Sequence, residues 1–214
     1  MSDAAISIPS PTAAAPAAES AKRGQIVEGA RQVFLARGFD GASMGEIARA
    51  AGVSKGTLYV YFDSKQALFA ELVRVDKRQT AEQLFELDAE DHDVARVLAR
   101  LGASYLDLML RPDHIASLRT VIGVAEKFPE VGQALFDAGP RVGIERLAAY
   151  LDWQVAGGYL AIPDSALAAS QFLGMLMAPG VMPSMVANAP APDAGRRALL
   201  VSRAVEVFIA AHTV

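Results

Sequence analysis

An all-α fold of about nine helices follows from three observations. Apolar residues recur at helical spacing from Ser20 onward. No stretch alternates apolar and polar with period two over several residues. Glycine and proline pairs punctuate the periodic runs. Of the 214 residues 52% are apolar and 21% charged, enough to bury a core and keep charge at the surface. The sequence has no cysteine, which excludes disulfides, thiolate metal sites and cysteine nucleophiles. The histidines, His92, His114 and His212, stand far apart and none has the i, i+4 spacing of a helical metal site. No nucleophile motif, phosphate loop or carboxylate–histidine pair is visible, so the expectation is a non-enzyme without metal or cofactor.

Residues 1–21 hold eight Ala, four Ser and three Pro and are expected to form a disordered arm. Asp3 and the prolines argue against a signal peptide, and the expected location is the cytoplasm. Ile26, Ala30, Val33 and Phe34 then form one helical stripe, ended by Gly38. Ser43 and Glu46 read as a capping box opening a short helix, with Ile47, Ala48 and Ala51 inward and Gly52 as its stop. Ser54 caps a third helix that packs through Leu58 and Phe62. Asp63 or Ser64 opens a fourth, with Lys65 in its first turn and Leu68, Phe69, Leu72 and Val75 on one face.

An acidic junction at 88–93 precedes helical patterns over 94–110, 113–127, 129–156, 164–186 and 193–211. Gly139-Pro140 marks a kink or split in the third of these. No solenoid repeat is present. The most apolar run, Leu167 to Val186, is interrupted by Ser170, Gln171, Pro179, Gly180, Pro183 and Ser184, so no membrane span is expected.

The net charge of −4 is unevenly distributed. Residues 22–78 carry ten Lys/Arg against six Asp/Glu, whereas residues 79–214 carry ten against sixteen. A basic segment inside an acidic chain points to a polyanion as the partner of that segment alone.

That segment contains a helix-turn-helix pattern. Ala48 is small enough for two helices to approach, Gly52 permits the positive φ of a tight turn, and Ile47, Val53 and Leu58 join the pair. Gly38-Phe-Asp-Gly-Ala-Ser-Met-Gly-Glu-Ile-Ala48, then Ala51-Gly-Val-Ser-Lys-Gly-Thr-Leu-Tyr-Val-Tyr-Phe62, with Ser64-Lys65 and Leu68, resembles the DNA-binding domain of TetR-type transcriptional regulators. The resemblance covers residues 22–78. It implies a homodimeric all-helical repressor with a DNA-binding domain at 22–78 and a ligand-binding and dimerisation domain at 79–214.

Lys55, Thr57 and Tyr59 fall on the exposed part of the recognition helix. Lysine can reach guanine O6 and N7, and a threonine methyl can meet a thymine methyl. Ser43, Ser54, Tyr61 and Lys65 match family positions that meet phosphates. Gly45 and Gly56 match positions where some relatives carry a base-reading side chain. The plainer alternatives are tyrosines packed on the first helix and lysines as solvated surface charge.

Residues 115–178 resemble the C-terminal domain of the AefR-like branch; Ala178-Pro179-Gly180 departs from its pattern, and Pro179 and Pro183 are expected to kink or end the helix. The last two helices, about 164–182 and 193–211, are expected to pair with their copies through residues such as Leu167, Phe172, Met175 and Leu199. Side-chain type nominates Tyr105, Met109, Arg119, Ile122, Phe136, Tyr150, Trp153, Phe172 and Met175 as a pocket for a small apolar or amphipathic effector. Arg119 reads either as an anchor for an acidic ligand or as the partner of a neighbouring Glu. The expected partners are therefore a pseudo-palindromic operator in double-stranded DNA, such an effector and a second copy of the chain. A transcriptional activator of the same fold is the nearest alternative; an all-helical enzyme or adaptor is a more distant one.

Overall fold

Short polar side chains set the starts of several helices. Ser43, Ser54, Asp93, Asp164 and Asp193 each accept a hydrogen bond from a backbone N–H in the adjoining first turn. Ser64 does the same for Ala67. The structure, a computed structural model, describes the backbone of residues 14–213 and the side chains from Glu19 to Thr213. Within that range the helices are α1 (Ala14–Gly41), α2 (Met44–Ala50), α3 (Lys55–Tyr61), α4 (Lys65–Leu84), α5 (Val94–Met109), α6 (Pro112–Ala125), α7 (Pro129–Ala138), α8 (Pro140–Ala156) and α9 (Ser165–Leu176). A π-helical turn (Met177–Val181), α10 (Met182–Ala187) and α11 (Ala194–His212) complete the chain. Among the described residues the only β-type pairing is an isolated bridge between Leu160 and Thr213.

Two sequence boundaries move. Residues 14–21, assigned to the disordered arm, are helical; alanine is the best helix former, and Pro16 stands in the first turn, where its missing N–H costs nothing. The rest of that arm lies outside the described residues. The chain divides into two compact units between Leu72 and Val73, inside α4, rather than at 78.

In the first unit Gly38, at φ 68°, interrupts α1, and Phe39 beyond it joins Phe34 and Phe69 in an aromatic cluster with ring centroids 4.9–6.0 Å apart. Ile26, Ile47, Leu58 and Leu68 are fully buried in the same unit, each contributing about 1.5–3 kcal/mol on transfer from water. Just past the division at Leu72, Val75, expected on the inner face of α4, is exposed, and Val73 is buried in its place.

In the second unit α5, α8, α9 and α11 supply the core, with Leu98, Leu106, Leu147, Leu151, Phe172 and Phe208 buried. The acidic junction is docked onto α8. Buried Gln154 donates to Ala89 O at 2.8 Å and lies 3.0 Å from His92 Nδ1, and Tyr150 Oη donates to Asp91 O at 2.8 Å. Gly139-Pro140 does split 129–156 into α7 and α8, with proline in the first turn of α8. Pro179 falls inside the π turn and Pro183 opens α10, so the 165–187 segment absorbs both prolines. That segment is long and apolar enough to cross a membrane by length and composition, yet Ala169, Phe172, Leu176 and Val181 are buried in the core.

Candidate nucleic-acid interface and ligand cavity

The helix-turn-helix is built from local signals. Ser43 and Glu46 form a reciprocal capping box at the start of α2, and the Ser43 hydroxyl holds the Glu46 carboxyl below its ordinary pKa. Gly52, at φ 64°, makes the turn into α3. Two α1 residues that sequence reasoning missed fix this pair. Gln25 Nε2 donates to Ala51 O at 2.6 Å, and a Cβ on Gly29 would lie 2.6 Å from the Ala51 backbone, so only glycine fits there. Arg23 also ties α1 down, through Glu71 at 3.2 Å and the face of Phe62 at 4.5 Å.

This leaves α3 with an outward face. Lys55, Gly56 and Tyr59 are exposed, Thr57 and Tyr61 half-buried, and Leu58 and Phe62 buried. Ser54 Oγ accepts the Thr57 N–H at 2.9 Å and pairs with Thr57 Oγ1 at 2.8 Å. The threonine hydroxyl is thereby engaged, and its methyl is the group left to meet a partner. Ser43 is exposed at the start of α2. Val60 is 81% exposed and escapes sequence reasoning, because its alternation with Tyr59 and Tyr61 resembles packing. A Cβ on Gly45 would meet nothing, and one on Gly56 only Ser54 Oγ at 3.7 Å. Neither glycine has a positive φ, so the fold itself does not require them.

Lys65, expected at a phosphate, has its ammonium turned inward. Its Nζ donates to the carbonyls of Phe39 at 2.7 Å, Ala42 at 3.0 Å and Asp40 at 3.3 Å, and sits 4.6 Å from the Phe39 ring centroid. All three N–H donors are turned toward the end of α1.

The second unit contains a cavity of about 330 Å³. Of the nine nominated residues, Tyr105, Met109 and Ile122 line it. The others do not, each for a visible reason. Phe172 is fully buried in the core, and Tyr150 is held by Asp91. Trp153 is exposed on α8, and Phe136 is exposed beneath the Arg141 guanidinium. Arg119 donates to Ser184 O at 2.6 Å, Met185 O at 2.8 Å and Asn188 Oδ1 at 3.2 Å, capping the end of α10. Met175 lines a separate hollow with Phe208 and His212.

The cavity's polar side chains are Lys77, Thr80, Tyr105 and His114, set in a wall of carbon from residues such as Phe85, Leu118 and Met177. Phe85 reaches the wall because Gly143 leaves room; a Cβ there would lie 2.7 Å from its ring. Burial pushes the Tyr105 hydroxyl up to about 12. Burial, with the charge of Lys77 beside it, pushes His114 down to about 4. Lys77 carries a visible sequence signal that is easily overlooked: it lies four residues after buried Val73 and four before buried Ala81, a lysine in the middle of an apolar stripe. Among the described residues no group of three or more His, Asp or Glu side chains could hold a metal ion.

A capped, glycine-turned helix pair with an outward second helix, followed by a helical unit with an apolar cavity, defines the architecture of the helix-turn-helix class of proteins. Known proteins agree with it. Residues 26–72 match the model of bacterial regulatory proteins of the tetR family, and residues 96–214 match that of the AefR-like transcriptional repressor C-terminal domain. The chain belongs to the TetR family and carries an AefR-like C-terminal domain.

A solved TetR-family regulator from Mesorhizobium loti is 26% identical with a TM-score of 0.80, the match covering 91% of this chain and 98% of that one. The flavonoid-responsive regulator FrrA is 28% identical with a TM-score of 0.75 over the same shares. The transcriptional repressor AcnR of Corynebacterium efficiens is 31% identical over 126 residues, 59% of this chain and 65% of that protein. The chain thus spans less than two thirds of the length of the curated relatives matched first.

Proposed function

We propose that the protein is a homodimeric, cytoplasmic transcriptional repressor that holds a pseudo-palindromic operator and releases it when a small apolar or amphipathic effector fills the second unit's cavity. The observation that carries this reading is α3: a capped helix whose outward face presents Lys55, Gly56, Tyr59 and the Thr57 methyl. In this reading Lys55 and Thr57 meet base edges, while Ser43, Ser54, Tyr59 and Tyr61 face phosphates. Glycine at 45 and 56 costs each short helix about 1 kcal/mol relative to alanine with no steric reason, which fits close approach of nucleic acid to bare backbone.

Two copies with recognition helices about 34 Å apart would read successive major grooves. Leu167, Leu199 and Val207 are exposed on α9 and α11, whose Phe172, Leu176 and Phe208 are already used within the protomer. The exposed three support an isologous contact between copies. Release requires effector to favour a dimer with the wrong spacing, by about 1–3 kcal/mol of coupling. α4 gives the coupling a covalent route, since it begins in the first unit and supplies Lys77, Thr80 and Leu84 to the cavity wall. The activator alternative is disfavoured by the C-terminal match, which is to a repressor's domain.

The test is selection of bound duplexes from a random pool, then salt titration of the selected site. The expected result is a two-fold-symmetric site whose affinity falls about 10³–10⁵-fold between about 50 and 200 mM salt. Recovery of no consensus, or affinity insensitive to salt, overturns the reading.

A further inference from the structure

Lys77 has 9% of its surface exposed, lines the cavity, and forms no hydrogen bond or ion pair among the described residues. An ammonium group out of water normally has a partner, because an unpaired buried charge is costly. The acids nearest in charge are Asp76, its chain neighbour, and Asp113. Asp113 is already held by the Arg111 guanidinium through two hydrogen bonds of 2.8 and 3.1 Å. Thr80 offers no compensation, since its hydroxyl donates to Asp76 O at 2.8 Å. The other side chains against the ligand space are apolar, apart from Tyr105 and His114.

From this arrangement, and resting on the reading of the cavity as the effector site, we infer that the effector is a monoanionic amphiphile: an apolar body carrying one acidic group that Lys77 receives. His114 sits in the same wall and, kept neutral by burial, can donate one ring N–H to the anion without adding a second charge. Burial also holds the Lys77 pKa below that of an ordinary lysine, and a bound anion would reverse that shift. The cavity volume suits a drug-sized molecule, and its carbon wall supplies grip on the apolar body. Arg119, the acid anchor nominated from the sequence, is committed to α10 and plays no part.

The test uses the full chain and two fluorescent probes with the same ring system, anilinonaphthalene sulfonate and the uncharged phenyl-naphthylamine. The wild type is expected to bind the sulfonate at least about tenfold more tightly. Lys77→Met should abolish that preference while changing the neutral probe's Kd by less than about threefold; Lys77→Arg should retain the preference. Equal affinity of the two probes for the wild type, or a preference that survives Lys77→Met, overturns the inference and leaves the cavity reading standing. Binding of neither probe overturns both. Lys77→Arg separates loss of charge from loss of fold.

Discussion

Two lysines on one helix show how differently the two regions use charge. In the helix-turn-helix region Lys65 gives its three protons to the carbonyls of Phe39, Asp40 and Ala42, so its charge closes the end of α1. In the cavity region Lys77 is more deeply buried and satisfies nothing. The first region uses its lysine's donors within its own fold. The second keeps a polar bond unmade inside. Burial of a charge therefore says little by itself; whether its donors are used separates a structural lysine from one positioned for a partner.

The comparison can be broken most sharply at Gly29. Valine there must displace the Ala51 backbone, and we expect a loss of about 3 kcal/mol, read as a collapsed thermal midpoint for the first unit in calorimetry. The two lysines should then respond to the same substitution with opposite signs. Lys65→Met leaves three carbonyls without that donor and should cost about 2 kcal/mol in urea unfolding, whereas Lys77→Met removes a buried charge that makes no hydrogen bond and should add about 1 kcal/mol. Loss of stability in both would erase the distinction.

An effect comparable to that of Lys77→Met is a pH dependence confined to the cavity region. The folded protein keeps His114 neutral down to about pH 4, while the unfolded chain takes up the proton near 6.5. Between those values the unfolded state binds more protons. Stability is therefore complete above about pH 6.5 and declines as pH falls toward 4, by roughly 1–2 kcal/mol after allowance for solvent near the ring. Thermal midpoints from about pH 7 to about pH 4.5 should show that decline in the wild type and a shallower one in His114→Gln.

The same contrast explains what is legible in the chain alone. The capping box at Ser43, the cap at Ser54 and the turn at Gly52 are encoded within a few residues of where they act, so α2, α3 and their outward face can be read directly. The cavity is a tertiary product. Its wall joins every helix from α4 to α10 with the π turn, and side-chain type cannot tell Tyr105, which lines it, from Tyr150, which is tied to Asp91. Pattern reading overvalues aromatic residues as pocket formers and undervalues the lysine interrupting the α4 stripe. Lys65 misleads for the converse reason. Its position in the first turn of α4 is as expected, but the direction of its ammonium depends on Gly38 turning the chain so that three carbonyls converge on it.

The five-residue winding at Met177–Val181 sets the rotational phase of α10. Adding one residue to a helix rotates everything downstream by about 100° relative to an uninterrupted spiral. In this phase Met177 and Met185 face the ligand space while Met182 and Val186 lie on the outside. Removing a single residue from 178–181 would swing Met185 away from the ligand space without altering one side chain of the wall, so the cavity's outline is stored partly as a count of backbone units.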